Sequence, residues 1–226
     1  PSLSKSNTKR ILDQISNLRI PIMQIPSLKE IILNKKEVSS LRPIELEDLL
    51  GRESVNPDLN LLKKVIKDKV IFISGAGGSI GKELTKQIIE LDPKSIILFD
   101  TSEPSIYELT LEINDLNKNK IPIVNILGNA CDEKLVDNIF EKYNIDIVFH
   151  AAAYKHVPIV ESNIIEGLHN NIISTIVLTG ASSKFKISKF ILISTDKAVR
   201  PTNMMGLSKR ISELIVQNQS YKSKIT

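Results

Sequence analysis

Val70-Ile-Phe-Ile-Ser-Gly-Ala-Gly-Gly-Ser-Ile-Gly-Lys-Glu-Leu84 decides the fold. Val70 to Ile73 are uniformly apolar, the pattern of a parallel strand covered on both faces. Gly75, Gly77, Gly78 and Gly81 follow at once, and a helical pattern starts at Ser79. Strand, glycine turn and helix in this order is the context in which a glycine motif binds a dinucleotide. Gly75, Gly77 and Gly78 would let the backbone turn and approach a pyrophosphate, and Gly81 would let the helix pack on its strand. Ser79, Ile80 and Gly81 would then offer helix N-terminal N–H groups to the anion. Four of the nine glycines fall within seven positions here, which favours this reading over a tight βα turn with incidental glycines.

Working outward, the pattern after Lys69 is regular. Apolar runs at 70–74, 95–99, 121–127, 145–150 and 188–194 alternate with helical stretches at 79–91, 104–117, 132–143, 158–183 (split near Gly167) and 204–219. Five short strands alternating with helices predict an α/β, doubly wound, mostly parallel sheet. Ligands of such sheets bind at the carboxyl ends of the strands.

Residues 1–68 are of a different kind. Short amphipathic helices are expected at Thr8–Leu18 and Ser27–Leu33, and an extended piece at Ile20–Ile25. An acidic-start helix is expected within Leu41–Arg52, stopped by Gly51, and a last helix at Leu59–Ile66. The expected division is 1–35 as the tail of an upstream domain, 36–68 as a helical lead-in, and 69–226 as the nucleotide-binding domain.

Composition narrows the function classes. The net charge of +4 comes from dispersed Lys, and Trp is absent. With no basic block interleaved with aromatics, nucleic acid is not an expected partner. The single Cys131 excludes an intramolecular disulfide and a Cys-rich metal site, and fits a reducing cytoplasm. No apolar run approaches the length of a membrane span, so no membrane contact is expected from this segment.

The strand ends carry the chemistry. Asp100, closing the second strand, is placed to accept both ribose hydroxyls of NAD and to repel a 2′-phosphate, so NAD is expected over NADP. Asn129 and Ala130 follow the third strand. His150-Ala-Ala-Ala-Tyr-Lys-His156 follows the fourth, where Ala151, Ala152 and Ala153 allow close approach of a planar ligand. Lys155 and His156 are candidates for substrate contact, and His150 reads as a satisfied buried histidine rather than a metal ligand; no metal site is expected. Ser194-Thr-Asp-Lys197 closes the fifth strand with a hydroxyl, an acid and an amine side by side. In the last helix Met205 and Lys209 share a face, and Lys209 is placed for a ribose contact.

These residues resemble the extended short-chain dehydrogenase/reductases, and within them the UDP-N-acetylglucosamine 4,6-dehydratases of capsule and O-antigen polysaccharide biosynthesis. The resemblance rests on Gly75-Ala-Gly-Gly-Ser-Ile-Gly81, His150 to Pro158, Ser194 to Arg210, and Arg42-Pro-Ile-Glu-Leu-Glu-Asp-Leu-Leu-Gly-Arg52. It implies a Rossmann fold and a reaction in which NAD takes hydride from C4 of the sugar, water leaves across C5 and C6, and the hydride returns to C6. It implies Asp196 as the acid, Lys197 as the base and Thr195 as the group orienting the C4 hydroxyl, with Asn203 near substrate. Asp196 must then hold a proton and Lys197 lose one near neutral pH, and burial would move each that way. Met205 stands where most relatives of the wider family carry Tyr, as in the membrane-anchored dehydratases, and leaves the C4 base as Asp196, or Thr195 with water. Asn129 stands where Asp is usual near the adenine amine.

The resemblance further implies a homo-oligomer and a cytoplasmic segment of an inner-membrane-anchored bacterial protein, cut before its C-terminal substrate-binding region. Two other readings remain beside the dehydratase. A sugar-nucleotide 4-epimerase needs no acid and base for elimination. A non-catalytic NAD-binding sensor or scaffold needs neither.

Overall fold

The computed structural model describes residues 23–24, 42–43 and 57–222. The chain divides into two compact units, Pro1–Pro57 and Asp58–Thr226. In the first, strand β1 (Met23–Gln24) pairs antiparallel with β2 (Arg42–Pro43). The helices expected at 8–18, 27–33 and after Pro43 lie outside the described residues.

The second unit begins with helix α1 (Leu59–Ile66), capped by the Asp58 carboxylate, which accepts from the Asn60 and Leu61 amides. Ile66 joins the same apolar cluster as Ile71 of the sheet. The helix assigned above to a lead-in segment thus packs with the nucleotide-binding fold, and the boundary falls before it.

Five parallel strands follow: β3 (Val70–Ser74), β4 (Ser95–Asp100), β5 (Ile123–Leu127), β6 (Ile147–His150) and β7 (Lys189–Leu192). Their order across the sheet is β5-β4-β3-β6-β7. The chain winds outward in one direction from β3, then returns to build the other half, so the order reverses beside β3. This is the expected doubly wound sheet.

The helices between strands are α2 (Ser79–Ile89), α3 (Glu103–Asn114), α4 (Glu133–Tyr143) and, between β6 and β7, α5 (Val157–Ser162), α6 (Ile164–Leu168) and α7 (Ser174–Lys184). A final helix, α8, spans Met204–Lys222. Alternate strand residues feed two cores, as the two-residue pleat requires. Ile71, Ile73, Ile96 and Leu98 pack with Ile88 of α2 and Ile106, Leu109 and Ile113 of α3. On the other face Val70, Phe72, Ile97 and Phe99 pack with Val136, Ile139 and Phe140 of α4 and Leu178 of α7. The Phe72 ring meets those of Phe99 and Phe140 at centroid separations of 5.4 and 5.3 Å.

Several boundaries differ from the periodicity, and three of them have a visible local setting. The third strand starts at Ile123 rather than 121 because the Asn117 side chain takes both the N–H and the C=O of Ile121. Helix α2 stops at Ile89, and Asp92 follows in a left-handed conformation (φ 55°). The long stretch after β6 breaks at Asn163, and His169–Ile173 forms one π-helical turn leading into α7.

Candidate active site

The glycine turn is built by backbone contacts that leave no room for side chains. Gly75 has φ +69°, its N–H donates to the Phe99 carbonyl at 2.9 Å, and a Cβ there would lie 2.5 Å from the Ala152 nitrogen. Gly78 is the N-cap of α2 and supplies no side-chain cap, so the first helical N–H groups face outward from the turn. A Cβ on Gly81 would overlap the Gly75 carbonyl, which explains the close seat of the helix on its strand.

Asp100 locks this turn. One carboxylate oxygen accepts the Gly77 N–H at 2.9 Å and the other accepts the Ser102 N–H at 2.9 Å. A carboxylate oxygen has two acceptor sites, so both oxygens keep capacity for a ribose. The Asn129 side-chain oxygen accepts the Cys131 N–H at 2.9 Å, a local turn that fixes its direction.

These elements enclose a cleft of about 200 Å³ at the carboxyl ends of β3 to β6. Gly75, Gly78, Ser79, Ile80, Gly81, Asp100, Asn129, Ala130 and Ala151 to Ala153 line it, as does Lys155, which was expected on the substrate side. Thr101, Gly128, Tyr154, Asn170 and Ser174 complete the wall. Gly77 is turned away toward Asp100 and Ser105. The cradle a Cβ would fill, the uncapped helix start and the acidic strand end fit a dinucleotide.

The second cluster lies beyond this cleft, past β7. Strand β7 ends at Leu192, and a 3-10 turn, Asp196–Ala198, follows with Thr195 as its N-cap. The Thr195 hydroxyl donates to Asp196 Oδ1 at 3.0 Å, and Lys197 Nζ lies 3.8 Å from the same oxygen. The Asp196 and Lys197 side chains are 76% and 51% exposed. The described residues therefore do not supply the burial that the acid and base assignments require.

Met205 and Lys209 are buried, at 4% and 6% exposure. A Cβ on Gly206 would overlap the Lys197 carbonyl, so α8 lies directly against the 3-10 turn. Burial pulls the Lys209 ammonium down to about 8, with the Glu213 carboxylate pulling the other way. Asn203 spends its side-chain oxygen on the Gly206 N–H at 2.8 Å, capping α8. His156, at the N-cap of α5, is exposed and makes no side-chain cap there.

His150 is fully buried, with Nδ1 2.7 Å from the Ser74 hydroxyl and Nε2 3.1 Å from the Thr175 hydroxyl. Both ring nitrogens are engaged, as the sequence reading expected. Burial first, and then the Lys209 charge, push it down to about 3, so it is neutral.

A buried polar network forms around Asn171, which no sequence motif marks. Its side chain takes the Tyr154 N–H (2.7 Å), the Tyr154 carbonyl (3.0 Å) and the Ser208 hydroxyl (2.9 Å). Its own carbonyl accepts the Thr175 and Ser212 hydroxyls at 2.9 and 3.1 Å. The four-residue spacing of Asn171 with Thr175, and of Ser208 with Ser212, was the available signal.

Residues 71–226 match the family model described as polysaccharide biosynthesis protein. The chain belongs to this family. The capsular polysaccharide biosynthesis protein CapD of Staphylococcus aureus is 36% identical over 96% of the chain, which covers 36% of that protein. The chain thus spans about a third of the length of that curated relative. Among solved structures, Pen from Bacillus thuringiensis superposes with a TM-score of 0.65 at 32% identity, over 71% of this chain and 48% of that one. The UDP-glucose 4-epimerase of Bifidobacterium longum, solved with NAD+ and UDP, shares the fold at a TM-score of 0.60 and 23% identity, over 68% of this chain and 49% of that one. These structural neighbours share the Rossmann-like parallel sheet of this chain.

Proposed function

We propose that this chain carries the cofactor cleft and the reacting groups of a nucleotide-sugar 4,6-dehydratase, acting on UDP-N-acetylglucosamine in polysaccharide biosynthesis. The observation that carries the reading is the single 3-10 turn on which Thr195, Asp196 and Lys197 stand together, packed against the helix that bears buried Lys209. NAD fits the glycine turn, Asp100 and the alanine run, and when bound supplies a hydride acceptor that is regenerated within the cycle.

The residues account for every proton. Thr195 orients the C4 hydroxyl, and its hydrogen bond to Asp196 offers that proton a path to the carboxylate as C4 is oxidised. Asp196, now protonated, returns the proton to the departing C6 hydroxyl, which leaves as water. Neutral Lys197 takes the C5 proton, acidified by the C4 ketone, and gives it back when hydride reaches C6. Met205 exchanges no proton, which fits a C4 base on the 3-10 turn rather than on α8. Because Asp196 and Lys197 are exposed, the desolvation that each role needs would come from the sugar covering the turn.

Likeness to UDP-glucose 4-epimerases supports a second reading, C4 epimerisation. Incubating the intact protein with UDP-N-acetylglucosamine separates the two by mass spectrometry and NMR. A 4-keto-6-deoxy product is expected; a 4-epimer formed without loss of water would sink the dehydratase reading.

A further inference from the structure

The segment 194–204, which carries Thr195, Asp196 and Lys197, is tied at both ends to carboxylates on neighbouring helices. At its start the Ser194 hydroxyl donates to Glu213 Oε1 at 2.5 Å. At its end the Met204 N–H donates to Glu161 Oε1 at 2.6 Å. Glu213 lies on α8, one turn after Lys209, and Glu161 lies on α5, the helix that follows the Lys155–His156 loop.

Apolar burial does little to fix this segment. Ala198 is buried, whereas Asp196, Lys197, Val199 and Arg200 are exposed, and Arg200 holds a left-handed conformation at φ 51°. Carboxylate acceptors make stronger hydrogen bonds than neutral ones, so they are suited to set such a segment. Glu213 is itself oriented, because its second oxygen accepts from Arg210 Nη1 at 2.9 Å. Its hydrogen bond with Ser194 holds it below the ordinary carboxylate range; burial opposes this, and Arg210 adds smaller pulls downward.

We propose that Glu213 and Glu161 are positioning residues that fix the Thr195–Lys197 turn against Lys209 and the cofactor edge. The inference rests on the dehydratase reading of that turn. Neither carboxylate needs to touch substrate. Each acts through the geometry it imposes, where a displacement of about 1 Å costs on the order of 100-fold in rate.

The test uses the intact protein with saturating UDP-N-acetylglucosamine, and the variants Glu161→Ala, Glu213→Ala, Glu161→Gln and Glu213→Gln. Each Ala variant is expected to lower kcat by about 10- to 100-fold, with KM and NAD affinity within about two-fold of wild type. Each Gln variant, which keeps an acceptor oxygen, should recover most of kcat. Amide hydrogen exchange, read without any turnover, should accelerate about ten-fold across 195–203 in the Ala variants and return toward wild type with Gln. If wild type dehydrates no sugar, the dehydratase reading falls, and exchange alone decides whether the two carboxylates hold the segment. If wild type is active but the Ala variants keep kcat and their exchange is unchanged, the positioning role is overturned while the dehydratase reading stands. Equal loss of kcat and NAD affinity without rescue by Gln would also overturn it, as the mark of general structural damage.

Discussion

The Asp100 carboxylate accepts the Gly77 N–H at 2.9 Å, so the residue expected to hold the ribose also holds the loop expected to hold the phosphates. The two jobs should be separable. Asp100→Asn keeps one oxygen acceptor and should weaken NAD by about 10-fold while relaxing discrimination against NADP. Asp100→Ala frees the Gly77 amide as well and should weaken NAD by about 100-fold, in line with hydrogen bonds to charged groups. Calorimetric titration with both cofactors measures this, and equal affinities for all three proteins would refute the ribose role.

Gly75 and Gly180 should respond oppositely to the same change. Alanine at Gly75 meets positive φ and the Ala152 backbone, neither of which can give, and should cost at least about 2 kcal/mol. Alanine at Gly180, on α7 with nothing within 4 Å, should gain about 0.5–1 kcal/mol. Urea unfolding of the two variants checks the pair.

Burial of Lys209 costs stability. Its folded value near 8 lies below the ordinary 10.5, so between those values the unfolded chain holds a proton that the folded chain gives up. The penalty is full below pH 8 and eases as pH rises toward 10.5, reaching on the order of 2–3 kcal/mol at neutral pH. Lys209→Met should therefore raise Tm at pH 7 by about 5 °C, lose that advantage near pH 10, and abolish turnover. Thermal melts at the two pH values decide it.

His150 should make the fold acid-sensitive. Its value near 3 lies below the ordinary 6.5, so within that window only the unfolded chain takes the proton, and stability falls as pH drops. The slope approaches 1.4 kcal/mol per pH unit, giving a loss of about 1–2 kcal/mol from pH 6.5 to 5. His150→Gln should flatten the curve in this window. An unchanged slope in that variant would assign the acid sensitivity elsewhere.

Much of the site was legible because strand ends are legible. Apolar runs mark the strands, the fold places ligands at their carboxyl ends, and Gly75, Asp100, Ala151 and Asn129 follow from that alone. What stayed hidden depends on partners remote in the chain. Ser74 meets His150 across 76 positions, and Glu161 meets Met204 across 43. A glutamate on a surface helix carries no mark of the amide it caps. The π turn at His169–Ile173 was equally invisible, although the Asn171 carbonyl within it accepts hydroxyls on α7 and α8.

The sequence by itself determined the doubly wound sheet and the nucleotide turn, because pleat, helical period and glycine geometry are local properties of the chain. Tertiary structure decided how the polar groups are used. It buried Lys209 while leaving Asp196 and Lys197 exposed, although all three follow one strand. Solvent exposure and charge depend on what packs from other elements, and no local pattern encodes that.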